Sequence, residues 1–299
     1  MQLDVFSRSP TARTRREFIR SATLAASSTL ILNRVVEGQS PPLTARQIIE
    51  RIQKSLGVPW RTDTVDTFKA GNPDTTVRGI ATTVMATMSV IERAAAAGRN
   101  LIVTHEPTFY GHTDDTAPLE SDPIYQRKAD LIKKHDLVVW RFHDHWHMRR
   151  PEPMTEGFFR AVGWEQYLPT NRVATIPETT LEAAARHVQE RLGVRALRVI
   201  GERGAKITKV VFMPGYGQPQ GMMRSLADAD LVICGEQREW EGLYYAHDAV
   251  AAGRPKGVIV LGHAISEEPG MKICADWLKT FVTEVPVELI PAGEPFWRP

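Results

Sequence analysis

Cysteine is nearly absent from this sequence, whose 299 residues contain only Cys234 and Cys274. Two thiols are too few for a structural zinc site of four cysteines. Both lie in apolar segments, where a buried thiol is the usual role, and a single disulfide between them could form in an oxidising compartment. An excess of charge is also absent, because 37 basic and 35 acidic residues leave a formal net charge of +2. The sequence therefore does not indicate nucleic acid as a partner.

Long hydrophobic runs are missing as well. The apolar stretch from Ser21 to Leu32 has about twelve residues, and no other uncharged apolar run approaches the roughly 18 that a transmembrane helix needs. We therefore expect no stable membrane anchor. Hydrophobic residues make up 42% and charged residues 24% of the chain, which is typical of a globular protein with a substantial core in one or two domains.

The first 38 residues have the order of an export signal. The pair Arg15-Arg16 precedes the apolar pair Phe18-Ile19, the uncharged stretch 21–32 follows, and small residues lie near Gly38. This arrangement resembles a bacterial twin-arginine signal peptide over residues 1–38. We therefore expect the protein to be periplasmic or secreted. The alternative is a basic arm that precedes an amphipathic helix.

The rest of the chain alternates between short apolar runs and longer amphipathic ones. This alternation predicts an α/β fold with helix-covered sheets. The predicted strands are residues 77–85, 101–103, 137–142, 196–200, 207–213, 231–234, 258–261 and 287–290. The predicted helices are residues 44–56, 88–97, 122–134, 152–162, 180–192, 218–227, 240–252 and 266–281.

Three of these strands end on histidine. The first runs through Leu101-Ile102-Val103 to Thr104, and His105, Glu106 and Pro107 follow. In α/β proteins ligands bind at the carboxyl ends of the strands, so His105 and Glu106 are candidate site residues.

The second segment carries three of the chain's nine histidines within five residues, His143, His145 and His147. If the strand persists, its period of two places all three on one face and Asp144 on the other. If the chain turns after His143, the direction of His145 is not determined. Tracts rich in histidine bind metal ions through neutral imidazole nitrogens. The alternative is a solvated polar loop.

The third segment, Gly262-His263-Ala264-Ile265-Ser266-Glu267, again follows an apolar strand. Ser266 is predicted to cap the helix that follows, and Glu267 to lie in its first turn. His263 and Glu267 could then face one point above the sheet.

Together these segments predict a set of nitrogen and oxygen ligands that exceeds the four of a single zinc ion. Two metal ions bridged by a carboxylate, for which Glu267 is a candidate, would use the whole set, and such centres perform hydrolysis. The predicted metal ligands are His105, Glu106, His143, His147, His263 and Glu267. The predicted proton-transfer residues are Asp144, His145 and Glu236.

The order strand-Thr-His-x-Pro, Phe-His-x₃-His and Gly-His-x-x-Ser-Glu resembles the NIF-three-like family, also known as type 2 GTP cyclohydrolase I-like proteins. The resemblance covers nearly all of residues 44–299. It implies a two-domain α/β fold, a ring-shaped homohexamer and a dinuclear metal centre in the cleft between the domains. On this reading, residues 44–150 and 257–299 form the first domain, which bears the ligands, and residues 151–256 form the second.

Two positions depart from the family pattern. Glu106 stands where a second histidine is usual, and His147 stands where aspartate is usual. The exchange conserves the number of imidazoles and carboxylates, so two divalent ions remain feasible, with zinc, iron, manganese and nickel as candidates.

The resulting hypothesis is an exported metal-dependent hydrolase. Its substrate would be a small phosphoester or a cyclic amide with a reactive C–N bond. The alternative is a ring-shaped scaffold that binds metal or a partner without catalysis, because a fold does not establish an activity.

Overall fold

Ten strands form two five-stranded sheets within residues 42–297, the part of the chain that this computed structural model describes. In chain order the strands are β1 (Phe68–Ala70), β2 (Ile80–Thr83), β3 (Leu101–Thr104), β4 (Val138–Arg141), β5 (Val173–Thr180), β6 (Arg198–Ile200), β7 (Lys206–Tyr216), β8 (Leu231–Glu236), β9 (Gly257–Val260) and β10 (Val287–Leu289).

Helices connect the strands and cover the sheets, so the α/β class expected from the sequence is confirmed. The α-helices are α1 (Ala45–Ser55), α2 (Met88–Ala96), α3 (Pro123–Lys134), α4 (Asp144–Met148), α5 (Pro153–Ala161), α6 (Leu181–Leu192), α7 (Pro219–Asp228), α8 (Tyr244–Ala251) and α9 (His263–Leu278). A π-helical turn, Glu239–Leu243, leads into α8.

The first sheet has the strand order β1-β4-β3-β2-β10. Strands β10, β2, β3 and β4 are parallel, and β1 pairs antiparallel with β4 at the edge. All four residues of β2, β3 and β4 are buried, as expected for strands covered on both faces. Their carboxyl ends lie at one edge of the sheet, where His105 and His143 follow.

The second sheet has the order β5-β7-β8-β9-β6. Its three central strands are parallel, and an antiparallel strand borders each edge. Glu236 ends β8, and His263 follows β9 after a two-residue turn at Leu261-Gly262. Gly262 has a φ of +100°, which favours glycine at this sharp change of direction.

Helix α9 begins at the predicted ligand His263 and continues into the core. It packs on β2 and β10 of the first sheet and on β7 and β8 of the second, and it crosses α5. The crossing is close, because a Cβ atom at Gly157 would overlap the backbone of Gly270, and one at Gly270 would overlap Met154. Glycine at both positions therefore brings the two helices together.

Several sequence expectations need correction. Helix α9 begins at His263 rather than at Ser266, so Ser266 is not its cap; the Ser266 hydroxyl donates to the His263 carbonyl and accepts from the Gly215 N–H. Strands β1 and β5 were not predicted. They lie at sheet edges and are partly exposed, so they lack a continuous apolar run.

The predicted domain boundary at residue 257 does not coincide with the change of sheet. Strand β9 pairs with β8 and β6 in the second sheet, and the chain returns to the first sheet only with β10. Residues 42–297 belong to one compact unit, and the division into two domains stays a prediction.

The predicted signal segment, residues 1–38, lies outside the described residues. Within residues 42–297, no helix combines the length and apolar character needed to cross a membrane.

Candidate metal centre

His105 lies at the bottom of the predicted site. Strand β3 continues its pairing beyond Thr104, since the His105 N–H donates to the Thr83 carbonyl at 3.0 Å. The imidazole is fully buried, and its Nδ1 donates to the Phe142 carbonyl at 3.0 Å. Burial, together with the neighbouring His147 and His143, holds the pKa of His105 well below its usual value. His105 is therefore a neutral imidazole with its Nε2 lone pair available.

Beyond β4 the chain turns at His143 and forms the short helix α4, so the persistent strand considered above is wrong. Because helix neighbours on one face are four residues apart, His143 and His147 lie together, and His145 lies elsewhere. The Nδ1 atom of His143 donates to Asp144 at 2.9 Å, and that of His147 donates to Glu152 at 2.9 Å. Glu152 is also the N-cap of α5.

The buried carboxylate of Asp66 holds this turn in place. It accepts hydrogen bonds from the backbone N–H groups of His143, Asp144 and His145 at 2.6–3.0 Å. These are the free donors at the start of α4, where a negative charge is stabilising.

His145 belongs to this support and not to the histidine cluster. Its Nδ1 donates to Asp66 at 2.7 Å, and its Nε2 accepts from the Arg61 N–H at 2.8 Å. The ring stacks on Trp60 with centroids 3.7 Å apart. Both ring nitrogens are thus engaged away from the cluster, which leaves neither free to exchange a proton with a substrate.

His263 completes the cluster from the first position of α9. Its Nδ1 donates to Glu236 at 2.9 Å, and its Nε2 lies 3.2 Å from Glu106 and 3.3 Å from Glu267. Burial opposes the effect, but these three carboxylates raise the pKa of His263 to about 12. The carboxylates therefore strongly favour a cation at this position.

One arrangement is common to the four histidines of the cluster. Each Nδ1 donates to an oxygen of the protein, which fixes the ring and leaves Nε2 directed at the other members. The acceptors are Phe142 for His105, Asp144 for His143, Glu152 for His147 and Glu236 for His263.

The ligand atoms meet in two overlapping groups that share His105. His105, His143 and His147 form one group, and His105, Glu106 and Glu267 form the other; within each group the ligand atoms lie within 4.8 Å of one another. The Nε2 atoms of His105 and His147 are 3.1 Å apart. Two nitrogens bound to one zinc ion at about 2 Å are separated by a similar distance, so these residues fit a metal ion.

Arg141, the last residue of β4, forms an ion pair with Glu106. Its guanidinium is fully buried, lies 3.4 Å from the Glu106 carboxylate and donates to the His105 carbonyl at 3.0 Å. Burial alone would raise the pKa of Glu106, but His263, His143 and Arg141 lower it. Glu106 is therefore ionised and ready to bind a cation.

The cluster opens into a cavity of about 860 Å³. Five of the six predicted ligands line it directly, and His105 lies beneath them. His112 also lines the cavity. The remaining lining residues are Met85, Pro107, Tyr110, Pro214, Tyr216 and Gln218.

Residues 39–294 match the Duf34/NIF3 (NGG1p interacting factor 3) family across most of the chain. The chain belongs to the Duf34/NIF3 family. It is 25% identical over 195 residues to the GTP cyclohydrolase 1 type 2 homolog of Clostridium perfringens, an alignment that covers 61% of this chain and 71% of the relative.

Two solved structures share the fold. The Staphylococcus aureus protein SA1388 superposes with a TM-score of 0.69 at 18% identity, covering 86% of this chain and 99% of that protein. A Bacillus cereus protein related to NIF3 superposes with a TM-score of 0.63 at 14% identity, covering 87% and 100%. At these identities the comparisons show the fold alone.

Glu106 and His147, which we expect to differ from the usual residues of the family, both lie inside the cluster. Glu106 approaches His263, and His147 approaches His105, so each exchanged side chain reaches the same centre. Asp144 and Glu236 contact the Nδ1 atoms of His143 and His263, and their role in proton transfer stays a prediction.

Sequence reasoning missed three supporting residues, Asp66, Arg141 and Glu152. Asp66 is an acid in an irregular segment, and Glu152 was read only as a helix start. Arg141 lies at the end of an apolar strand, where a fully buried charge is rare unless it is paired. An arginine in an apolar strand was therefore the sequence feature that could have indicated its supporting role. The two cysteines do not pair; both are free and buried.

Proposed function

We propose that the chain binds two divalent metal ions in the six-residue cluster and hydrolyses a small phosphoester or cyclic amide. The observation that carries the proposal is the set of four Nδ1 hydrogen bonds. Because every Nδ1 bears its proton, each ring in its neutral form offers a lone pair at Nε2. Two such lone pairs at 3.1 Å repel each other unless a proton or a metal ion lies between them. Burial opposes protonation, but neighbouring carboxylates raise the pKa of His263 and of His147, so a metal ion bound there would displace a proton from Nε2.

A second observation supports a cation here. The Glu267 Oε2 atom is buried and lies 3.3 Å from His263 Nε2, but no donor in the described part of the chain has hydrogen-bond geometry toward it. A buried carboxylate oxygen without a partner is costly. Glu267 and Glu106 both approach His263, so either carboxylate could contact two ions.

The charge of the ligand set indicates the class of substrate. With metal bound, the four imidazoles would be neutral and the carboxylates Glu106 and Glu267 would carry a charge of −2, so two divalent ions would leave a net charge of +2 on the ligand set that lines the cavity. The supporting carboxylates Asp144, Glu152 and Glu236 contact the opposite, Nδ1 side of the rings. An excess positive charge in a cavity attracts anions, and this supports a phosphoester over a neutral amide. Bound ions would supply Lewis acidity and lower the pKa of a water molecule.

The chain's own residues would prepare the centre. Phe142, Asp144, Glu152 and Glu236 hold the Nδ1 protons and so fix the orientation of each ring. Glu236 is half exposed, so it is the supporting carboxylate best placed to exchange a proton with solvent. We retain it, with Asp144, as a proposed proton-transfer residue.

Metal analysis of the purified protein tests the site. Two equivalents of metal are expected, with loss of at least one in His263→Ala and in His105→Ala while circular dichroism shows an intact fold. His247→Ala is the matched control, because His247 is an exposed histidine of α8 outside the cluster. Full metal content in both cluster variants would show that His105 and His263 are not metal ligands.

Activity is tested on the metal-loaded protein with aryl phosphate mono- and diesters, cyclic amides and GTP. GTP enters this panel because of the name of the Clostridium perfringens relative. Metal-dependent turnover that His263→Ala abolishes would support a hydrolase. Two bound metal ions without turnover on any compound would favour the non-catalytic scaffold.

Location and assembly are further parts of the proposal. The order of residues 14–32 supports export by the twin-arginine route, and family membership supports a homohexamer. Light scattering of the purified protein would give the oligomeric mass directly.

A further inference from the structure

Tyr110 has a backbone conformation that a tyrosine rarely adopts. Its φ is +67°, in the left-handed region. A bulky side chain is disfavoured there, whereas glycine, asparagine and aspartate tolerate it. Within residues 42–297 the other non-glycine residues with positive φ are Asp114 and Asp136. A strained residue of this kind persists only where its surroundings hold it in place.

The loop that contains Tyr110 is held by the site itself. The Asp114 carboxylate accepts a hydrogen bond from the Phe109 N–H at 2.7 Å, and it lies 3.5 Å from Lys69 and 3.9 Å from Arg141. Arg141 is also the residue that supports Glu106. The position of Tyr110 is therefore coupled to that of a predicted metal ligand.

The tyrosine ring faces the cavity and is not part of the core. It is 62% exposed and lines the same cavity as five of the predicted ligands. The buried ammonium of Lys128 lies 4.8 Å from the ring centroid, and Lys128 is itself fixed by a hydrogen bond to the Thr108 carbonyl. This cation–π contact holds the ring in place and leaves much of its surface open.

A second tyrosine lines the cavity from the other sheet. Tyr216 ends β7, and the guanidinium of Arg238 lies 5.9 Å from its ring centroid. The cavity thus presents aromatic rings from the loop after β3 and from the end of β7, beside ligands that would bind an oxyanion through metal ions. Exposed aromatic rings in such places stack on planar groups, as they do on nucleic-acid bases.

We propose that Tyr110 is a specificity-determining residue that stacks on a planar ring of the substrate, so that the centre acts on phosphoesters of aromatic or heteroaromatic alcohols rather than aliphatic ones. This inference rests on the proposed function and adds the substrate class. The strained backbone presents the ring, and Tyr216 borders the same space.

Two non-hydrolysable probes separate ring recognition from metal binding. Calorimetry on the zinc-loaded protein compares phenylphosphonate with methylphosphonate, which share the oxyanion and differ in the ring. The wild type is expected to bind phenylphosphonate about tenfold more tightly, the equivalent of one stacking contact. Tyr110→Ala should bring the two affinities within about twofold while the affinity for methylphosphonate is kept.

The controls identify the ring as the cause. Tyr110→Phe should keep the preference. Tyr244→Ala should also keep it, because Tyr244 is equally exposed, at 61%, but lies outside the cavity. Tyr110→Gly should leave the midpoint of urea unfolding unchanged or higher, because relief of the left-handed strain by glycine offsets the loss of the contact with Lys128. A clearly lower midpoint would mean that the ring serves the fold, and this would overturn the inference.

The remaining outcomes are also decisive. Equal affinities of the wild type for both phosphonates, or a preference that survives in Tyr110→Ala, would overturn the inference while the proposed function stands. If neither phosphonate binds the zinc-loaded protein, the phosphoester part of the proposed function fails, and the inference fails with it.

Discussion

The Nε2 atoms of His105 and His147 lie 3.1 Å apart, although each ring has already donated its Nδ1 proton to an oxygen of the protein. Two acceptors that face each other at this distance are stable only with a proton or a metal ion between them. The contact links residues that are 42 positions apart, and α4 brings them together by turning the chain directly after β4.

Removal of the Glu236 side chain should weaken metal binding without unfolding the protein. Glu236 fixes the ring of His263 through one hydrogen bond and is half exposed, so the core does not depend on it. Loss of such a supporting carboxylate typically lowers metal affinity by about 10–100-fold. Competition with a chelator measures the affinity of Glu236→Ala. Glu239→Ala, at the nearby exposed pair with Arg198, should match the wild type.

Asp66→Ala should destabilise the protein more than any surface carboxylate. The substitution leaves three backbone N–H groups and the His145 ring without their acceptor inside the fold. A loss on the order of 3 kcal/mol in the free energy of unfolding is expected. Urea denaturation measures it, with Asp63→Ala, an exposed residue of the same segment, as the control. Equal stabilities would show that Asp66 does not hold α4.

Stability should rise with pH above about 8 because of Lys128. Burial lowers the pKa of this amine to about 8 from 10.5. Between these values the unfolded chain binds more protons than the folded protein, so the free energy of unfolding increases with pH, and below pH 8 the contribution is constant. Relative to Lys128→Met, the wild type should gain on the order of 2 kcal/mol between pH 7.5 and 10.5.

Urea denaturation at several pH values follows this gain. Lys134→Met provides the control on the same helix, because Lys134 is exposed, and it should keep the pH dependence of the wild type. A Lys128→Met curve parallel to that of the wild type would refute the assignment.

Export should depend on the arginine pair near the start of the chain. Replacement of Arg15 and Arg16 by lysine removes the twin-arginine feature without changing charge. In a bacterium with the twin-arginine route, the wild type should reach the periplasm and lose about 38 residues. The double variant should stay in the cytoplasm at full length. Cell fractionation with mass spectrometry distinguishes the two, and Arg8→Lys should behave as the wild type.

The predicted ligands converge because each of the three segments that carry them follows a buried parallel strand. The apolar runs before His105 and His263 define strands whose carboxyl ends carry ligands, and all six predicted side chains reach one cluster. This much follows from local patterns, since an apolar strand and the residue after it are adjacent in sequence.

The supporting residues could not be found in this way. Asp66 acts on a helix that starts 78 residues later along the chain, and nothing near Asp66 indicates the contact. The two-residue period of a strand predicted the wrong direction for the side chain of His145. The chain turns into α4 at this point, and the carboxylate of Asp66 that stabilises the turn is remote in sequence. The second tyrosine of the cavity, Tyr216, likewise depends on how the two sheets come together.

The close crossing of α5 and α9 has a mechanical consequence. Glu152, which supports His147, caps α5, and His263 and Glu267 belong to α9. Gly157 and Gly270 leave no room for side chains between these helices. The two helices, and the two ends of the ligand cluster with them, therefore move as one rigid body. Heating or denaturant that separates the helices should therefore release metal and melt the core in a single cooperative step.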